Sequence, residues 1–164
     1  MTIVAMIVGI FLGTGSLAYG YSQADTTGPA RWFVLLGIAW ILAHWRKYHW
    51  ASSVAFFLTL LGAAYGVWNG LATIWMLLGA LGGLLGWDLA DFARRLSYAA
   101  PTDDIAGMER RHLARVGVVA ALGFGLALLS TRIRITRLAF EVAVGLVLLA
   151  ALGLTRLVMR LKRY

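Results

Sequence analysis

The sequence predicts an all-α integral membrane protein, a helical bundle of six transmembrane helices with both termini cytoplasmic. The composition supports this class, since 61% of the 164 residues are hydrophobic and 13% are charged. Soluble domains are about half apolar and a quarter charged. The apolar residues gather into blocks close to the length that crosses a bilayer, roughly 17–25 residues. The basic residues, which give a formal net charge of +8, gather in alternate connections between those blocks.

Six apolar blocks follow one another along the chain, and we predict a single transmembrane domain over 1–164. The first block has no Lys or Arg before it, which argues against a signal peptide. Short connections link the second block to the third, the third to the fourth and the fifth to the sixth, so these pairs form antiparallel hairpins. The predicted spans are about 3–19, 30–45, 51–68, 71–89, 113–129 and 138–154.

The Lys and Arg residues orient the predicted bundle. If the N-terminus is cytoplasmic, eleven basic residues lie inside and four lie outside, and basic residues accumulate on the cytoplasmic side. We therefore predict both termini inside, with a cytoplasmic polar segment at 93–112. The eleven are Arg46, Lys47, Arg94, Arg95, Arg110, Arg111, Arg115, Arg156, Arg160, Lys162 and Arg163, and the four are Arg31, Arg132, Arg134 and Arg137.

Tryptophan marks the predicted membrane surfaces. Five of the seven tryptophans lie at block ends, where their amphipathic rings form interfacial belts, while Trp40 and Trp75 lie inside blocks. The five are Trp32, Trp45, Trp50, Trp68 and Trp87.

The polar stretch 97–109 is the longest between two blocks, and it predicts the start of a helix. Thr102 occupies an N-cap position, with Asp103 and Asp104 in the first turn, where acids suit the helix dipole. We expect this helix to continue through "MERRHLARV" into the fifth span.

Glycine predicts close helix packing. The pairs Gly9/Gly13, Gly62/Gly66, Gly79/Gly83 and Gly82/Gly86 have four-residue spacing, which places two missing side chains on one helix face and lets backbones approach. The fourth span, "GALGGLLG", is the strongest case. Glycine alone does not separate packing within the chain from packing against another subunit. The packing residues that we predict are Gly79, Gly82, Gly83 and Gly86.

Two aspartates close the fourth span in "GWDLADFARRL". Asp91 precedes Arg94 and Arg95 by three and four residues, which favours ion pairs along one helix face. Asp88 has no such partner, and a carboxylate near a helix C-terminus faces the negative end of the dipole. We expect Asp88 to tie the fourth span to a neighbouring basic helix. The candidate partners are Arg111, His112, Arg115, Arg46, Lys47, Arg156 and Arg160.

A metal-binding site is the more specific alternative interpretation of the polar cluster formed by Asp88, Asp91, Glu109, Arg111, His112 and Arg115. Glu109 and His112 have Glu-x-x-His spacing, which places both on one helix face, opposite Asp88 and Asp91. Di-iron bundles use this spacing twice and add two glutamates. Here it occurs once, and we predict no metal ligand. His44 and His49 are interpreted as interfacial side chains, because haem needs axial ligands that face each other.

The last predicted span contains an intramembrane acid, Glu141, which is a candidate functional residue by default. Arg137 lies four residues earlier, so a structural ion pair is the other interpretation. The preceding connection adds Arg132 and Arg134 on the predicted outer side. These arginines either contact lipid phosphates or an acidic partner, or extend along the helix end to reach the membrane surface.

Three function classes follow. Without cysteine, disulfides and thiolate metal sites are excluded, and no P-loop, His-Glu-x-x-His or Gly-x-Ser-x-Gly motif occurs. We predict a non-catalytic subunit or scaffold of the cell membrane without a cofactor. Its expected partners are the bilayer, other membrane proteins or itself, with anionic lipids possible and no nucleic acid. The alternatives are a small-solute or ion transporter or channel with Asp88 and Glu141 near the path, and a metal-dependent membrane enzyme.

Overall fold

The computed structural model describes residues 1–24, 27–98 and 104–132. In this part of the chain every regular element is an α-helix, which confirms the all-α prediction. The helices are α1 (Thr2–Ser22), α2 (Thr27–Trp45), α3 (His49–Trp68), α4 (Thr73–Leu96) and α5 (Ile105–Arg132).

Four of these helices are long and apolar enough to cross a membrane, namely α1, α3, α4 and α5 as far as Leu129. The second predicted span, 30–45, is a helix in the structure, α2, but it does not belong to this group. Its apolar block is short, and Arg31 and His44 lie near its two ends. The sixth predicted span, 138–154, lies outside the described residues, so the count of six spans stays a prediction.

The helices extend well into the polar segment predicted at 93–112. Helix α4 continues to Leu96, beyond the end of the predicted span at 89, and α5 begins at Ile105, close to the helix start predicted after Thr102, and continues into the fifth predicted span. The side chain of Asp104 accepts a hydrogen bond from the backbone N–H of Gly107 at 2.9 Å, which is the geometry of a helix N-cap. Asp104 therefore caps α5 where the sequence suggested Thr102, which lies outside the described residues.

The first four helices pack as an antiparallel bundle, and the pair α1 and α4 has the most extensive interface. Helix α2 packs against α1 and α3, and α3 packs against α4. The starts of α1, α3 and α5 therefore lie at one end, together with the ends of α2 and α4. We call it the basic end, because it includes Arg46, Lys47, Arg94, Arg95, Arg110, Arg111 and Arg115.

Glycine sets the distance between α1 and α4. A Cβ atom added to Gly13 would lie 2.6 Å from the backbone N of Gly83 and 2.9 Å from the carbonyl carbon of Gly82. One added to Gly9 would lie 3.0 Å from the backbone N of Gly86. The two backbones are thus in direct contact, which only residues without a side chain allow.

Two apolar clusters flank this glycine contact. The cluster toward the basic end includes Trp40, which is 1% exposed, and the indole N–H of Trp40 has no hydrogen-bond partner among the described residues. Of the five tryptophans predicted for the interfacial belt, Trp32, Trp45, Trp50 and Trp68 are largely exposed, as such a belt requires, whereas Trp87 lies inside α4 and is partly buried. The first cluster comprises Met6, Ile10, Trp40, Ala55, Leu89 and Ala90, and the second comprises Leu17, Tyr21, Ala30, Ala63 and Met76.

The chain divides into two compact units, Met1–Leu129 and Ser130–Tyr164. The first contains the bundle and nearly all of α5. Of the second, the described residues 130–132 complete α5.

Candidate functional site

The polar residues of the described chain concentrate at the basic end. Asp91 accepts a hydrogen bond from Nε of Arg95 at 2.8 Å and one from Arg94. Both contacts lie within one turn of α4, as the sequence spacing predicts. Because both guanidinium groups are largely exposed, such pairs contribute only a few tenths of a kcal/mol each.

Asp88 reaches across to α5. Its Oδ2 atom lies 2.9 Å from Nε2 of His112, and the His112 ring stacks on Phe92 with centroids 3.8 Å apart. Of the basic partners predicted for Asp88 that lie in the described residues, His112 is the one in contact with it, and Arg156 and Arg160 lie outside the described residues. Arg111 lies instead 3.9 Å from the carboxylate of Asp104.

Glu109 has a third, separate set of partners at the start of α1. Its carboxylate accepts a hydrogen bond from the hydroxyl of Thr2 at 2.7 Å and one from the Thr2 backbone N–H at 3.3 Å. The amino group of Met1 lies 3.4 Å away. Since Thr2 is almost fully buried, this contact attaches the first turns of α5 to the bundle.

The residues proposed as alternative metal ligands therefore separate into three contacts. Asp91 pairs along α4, Asp88 pairs with His112, and Glu109 pairs with Thr2. Within residues 1–24, 27–98 and 104–132, no group of three His, Asp or Glu side chains converges on a possible metal position.

Beyond these attachments, an apolar groove separates α4 from α5. Its volume is about 480 Å³. Asp88, His112 and Arg115 form its polar end, and leucine and valine side chains such as Leu84 and Val119 line the rest. A second apolar groove of about 230 Å³ shares Leu84 with it and reaches Leu77 and Ala127. The first groove also places Arg115, the remaining residue of the predicted polar cluster, in the same lining as Asp88. Arg115 forms no salt bridge with any described residue.

A separate polar cavity of about 310 Å³ opens at the basic end, where α2 ends, α3 begins and α4 ends. The indole N–H of Trp87 donates a hydrogen bond to Oγ of Ser53 at 3.2 Å, which joins α4 to α3 at its wall. We call this the polar cavity. Its lining consists of His44, His49, Ser52, Ser53, Trp87, Ala90, Asp91, Arg94 and Arg95.

Sequence reasoning did not find the polar cavity. It placed His44 and His49 at the membrane surface and took Asp91, Arg94 and Arg95 for a local ion pair. Ser52 and Ser53 have no predicted role. The available signal was a pair of serines one turn after His49, but only the packing of α3 on α4 brings them to the arginines.

The remaining predicted residues lie elsewhere. Gly79, Gly82 and Gly86 line the contact with α1, whereas the missing side chain of Gly83 faces Thr59 on α3, and all four glycines are buried. Glu141, Arg134 and Arg137 lie outside the described residues, as does the side chain of Arg132.

Comparison of the chain with protein-family models, with curated proteins and with solved structures finds no match.

Proposed function

We propose that this chain is a non-catalytic integral protein of the cell membrane, a subunit or scaffold that packs against other membrane proteins or a second copy through α5. One observation carries the proposal. Helix α5 is as long and apolar as a membrane span, yet none of the residues 105–129 is buried, whereas half of the corresponding stretch of α1 is. A helix attached to its own bundle mainly at its first turns leaves its length available to a partner.

The surface of α5 suits a protein partner in lipid. Helices associate in membranes through close packing at small residues, because lipid supplies no hydrophobic drive between them. Gly117, Gly123 and Gly125 each have open space at their missing side chains. Large apolar side chains interleave with them, and among these Val118, Val119, Leu122, Leu126 and Leu129 are all exposed.

The orientation of the protein is part of the same proposal. The basic end faces the cytoplasm, because Lys and Arg accumulate on that side of membrane proteins. Reporter fusions at Lys47 and after Asn69 test it, since these residues end α2 and α3 at opposite ends of the bundle. We expect a cytoplasmic signal at Lys47 and an external one at Asn69, and the reverse would overturn the orientation.

Transport is the alternative with one supporting feature. The groove between α4 and α5 begins at Asp88, His112 and Arg115, which is the arrangement of a polar entrance. Its continuation toward Leu77 and Ala127 is lined by apolar side chains, and a solute path needs polar groups to replace hydration. The geometry therefore favours a packing function over flux. The metal-enzyme alternative has no supporting cluster in the described part of the chain.

Site-specific cross-linking tests the packing function. The chain has no cysteine, so Val118→Cys on α5 and Val8→Cys on α1 each create a unique attachment point for a photoactivated cross-linker. The two valines form a matched pair, since each is 60% exposed. In native membranes we expect Val118→Cys to give one discrete protein adduct, identified by mass spectrometry as a single membrane protein or this chain, and Val8→Cys to give lipid adducts.

Two outcomes of the cross-linking experiment would contradict the proposal. Lipid adducts at both positions, with a monomeric mass in mild detergent, would overturn the packing function. Equal protein adducts at both positions would show unspecific contacts and would overturn the assignment to α5.

A further inference from the structure

We infer that the polar cavity is a binding site for an oxyanion, a phosphate group. The cavity lies at the basic end between α2, α3 and α4, away from the exposed length of α5. The inference is therefore independent of the proposed packing function.

A buried hydroxyl without a partner is the first observation. Ser52 is 7% exposed and lines the cavity, and its hydroxyl forms no hydrogen bond with any described residue. Among the described residues, the indole nitrogen of Trp40 is the only fully enclosed side-chain polar atom without a partner, so the Ser52 hydroxyl is open to the cavity. A ligand in the cavity that accepts a hydrogen bond can therefore reach it.

The other lining groups are mainly hydrogen-bond donors. Oγ of Ser53 already accepts the indole N–H of Trp87, which leaves its own O–H to donate. Arg94 and Arg95 each carry five N–H donors, and their contacts with Asp91 occupy only part of them. A site with this many hydrogen-bond donors favours a ligand whose atoms accept hydrogen bonds.

The charge of the lining has the matching sign. Arg94 and Arg95 supply two positive charges against the single carboxylate of Asp91. The turn between α2 and α3 adds Arg46 and Lys47 at the same end of the bundle. A cation placed here would face two guanidinium groups, whereas a phosphate matches their planar fork geometry.

The start of α3 adds a third contribution. Tyr48, its N-cap residue, makes no side-chain capping hydrogen bond, so the first N–H groups of this helix lack a side-chain acceptor. The N-terminus of a helix carries partial positive charge and binds anions through such N–H groups. His49, Ser52 and Ser53 bring this helix start to the cavity wall.

The size and position of the cavity narrow the ligand class. A volume of about 310 Å³ is at the lower end of small-molecule pockets, roughly 300–1,000 Å³, which suits a phosphate with a small substituent. Exposed Trp45 and Trp50 directly follow the lining residues His44 and His49 in the sequence and mark membrane-surface depth. The phosphate belongs either to the headgroup of an anionic phospholipid or to a free phosphate ion.

Two titrations of the full chain in a phosphate-free maltoside detergent separate these sources. The first adds sodium phosphate against sodium chloride at equal ionic strength. The second adds phosphatidylglycerol against diacylglycerol, which has the same acyl chains and no phosphate. Binding is followed by tryptophan fluorescence, because Trp87 forms part of the cavity wall. A response to sodium phosphate assigns a free phosphate, and a response to phosphatidylglycerol alone assigns the lipid.

Variants connect the response to the cavity. Ser52→Ala removes the unpartnered hydroxyl, and Ser16→Ala is its matched control, since Ser16 is also 7% exposed but lies in α1 away from the cavity. Arg94→Gln removes one guanidinium, and Arg110→Gln is the control at an exposed arginine outside the lining. Ser53→Ala is a second hydroxyl variant, read beside a circular dichroism check of helix content.

We expect Ser52→Ala and Arg94→Gln to weaken binding about tenfold, the typical effect of losing a hydrogen bond to a charged group. The control variants should change it less than about twofold by the same reasoning. The site is overturned if neither titration gives a saturable response, or if Ser16→Ala and Arg110→Gln weaken binding as much as the cavity variants do.

Discussion

Two glycine-bearing helices of this protein have opposite surroundings. In α4, Gly82 lies against the backbone of Gly13 on α1 and Gly83 lies against the side chain of Thr59 on α3, each so closely that no side chain fits. In α5, Gly117 and Gly123 have open space at their missing side chains. A small-residue pattern therefore shows only that a helix can approach another helix closely. Which helix it contacts depends on a matching pattern of small residues on the second helix. Helix α1 offers that match to α4 with Gly9 and Gly13.

The largest predicted effect is a test of this difference. Gly82→Leu should destabilise or prevent the association of α1 with α4, by about 3 kcal/mol or more, because a side chain would have to enter a backbone contact. Gly123→Leu, the same change on α5, should alter the stability of the monomer by less than about 0.5 kcal/mol. Unfolding in mild detergent measures both.

The two glycine variants also distinguish the kinds of packing. If Gly82→Leu unfolds like the unmodified chain, α1 and α4 do not meet at this contact. If Gly123→Leu keeps monomer stability but loses the Val118→Cys adduct, the open glycine of α5 belongs to an intermolecular contact. An unchanged adduct would place that contact on another face of α5.

The second effect concerns how α5 is attached to the bundle. Asp88→Asn and His112→Ala should each destabilise the attachment of α5, and their effects should be non-additive by on the order of 1 kcal/mol, because the groups lie 2.9 Å apart at a water-accessible position. Double-mutant cycles in detergent unfolding measure this coupling. Arg111→Gln serves as the control, since Arg111 lies near Asp104. Equal coupling of Asp88 with Arg111 would contradict the geometry.

The smallest effect is expected at Asp91. Asp91→Asn should cost only a few tenths of a kcal/mol of stability, because both of its ion pairs lie on the surface of one helix and are screened by solvent. Thermal unfolding at low and at high salt measures this, with the small difference vanishing at high salt. A loss above about 1 kcal/mol would show that Asp91 contributes more than a surface pair does.

The local features of this chain could be read from its sequence. The apolar blocks at 3–19 and 51–68 correspond to α1 and α3 within a few residues, because length and hydropathy alone decide whether a segment forms a membrane-length helix. The contact of Asp91 with Arg94 and Arg95 was predictable because residues three and four apart share one helix face. The end of α4 was less accurate, since this helix continues through a charged turn to Leu96, whereas the helix predicted through "MERRHLARV" into the fifth span agrees with α5.

Contacts between helices needed the tertiary structure. Several basic residues were equally available to Asp88, and only the packing of α5 places His112 against it. The spacing of Glu109 and His112 suggested that they act together, but the carboxylate of Glu109 accepts a hydrogen bond from Thr2 at the start of α1. The polar cavity joins Ser52 on α3 with Arg94 on α4, residues more than forty positions apart. Sequence spacing carries no information on such pairs, because it describes one helix face at a time.

Composition and spacing were enough to predict the all-α class, membrane-length apolar segments, of which four are such helices in the described chain, the basic connections and the glycine faces. Each follows from composition or from periodicity within a single segment. The tertiary structure alone decided that the glycines of α4 meet those of α1, that those of α5 remain open among the described residues, and that the donors of α3 and α4 enclose one cavity. The reason is that dispersion packing in lipid depends on the fit between two surfaces, and each sequence segment specifies only one of them.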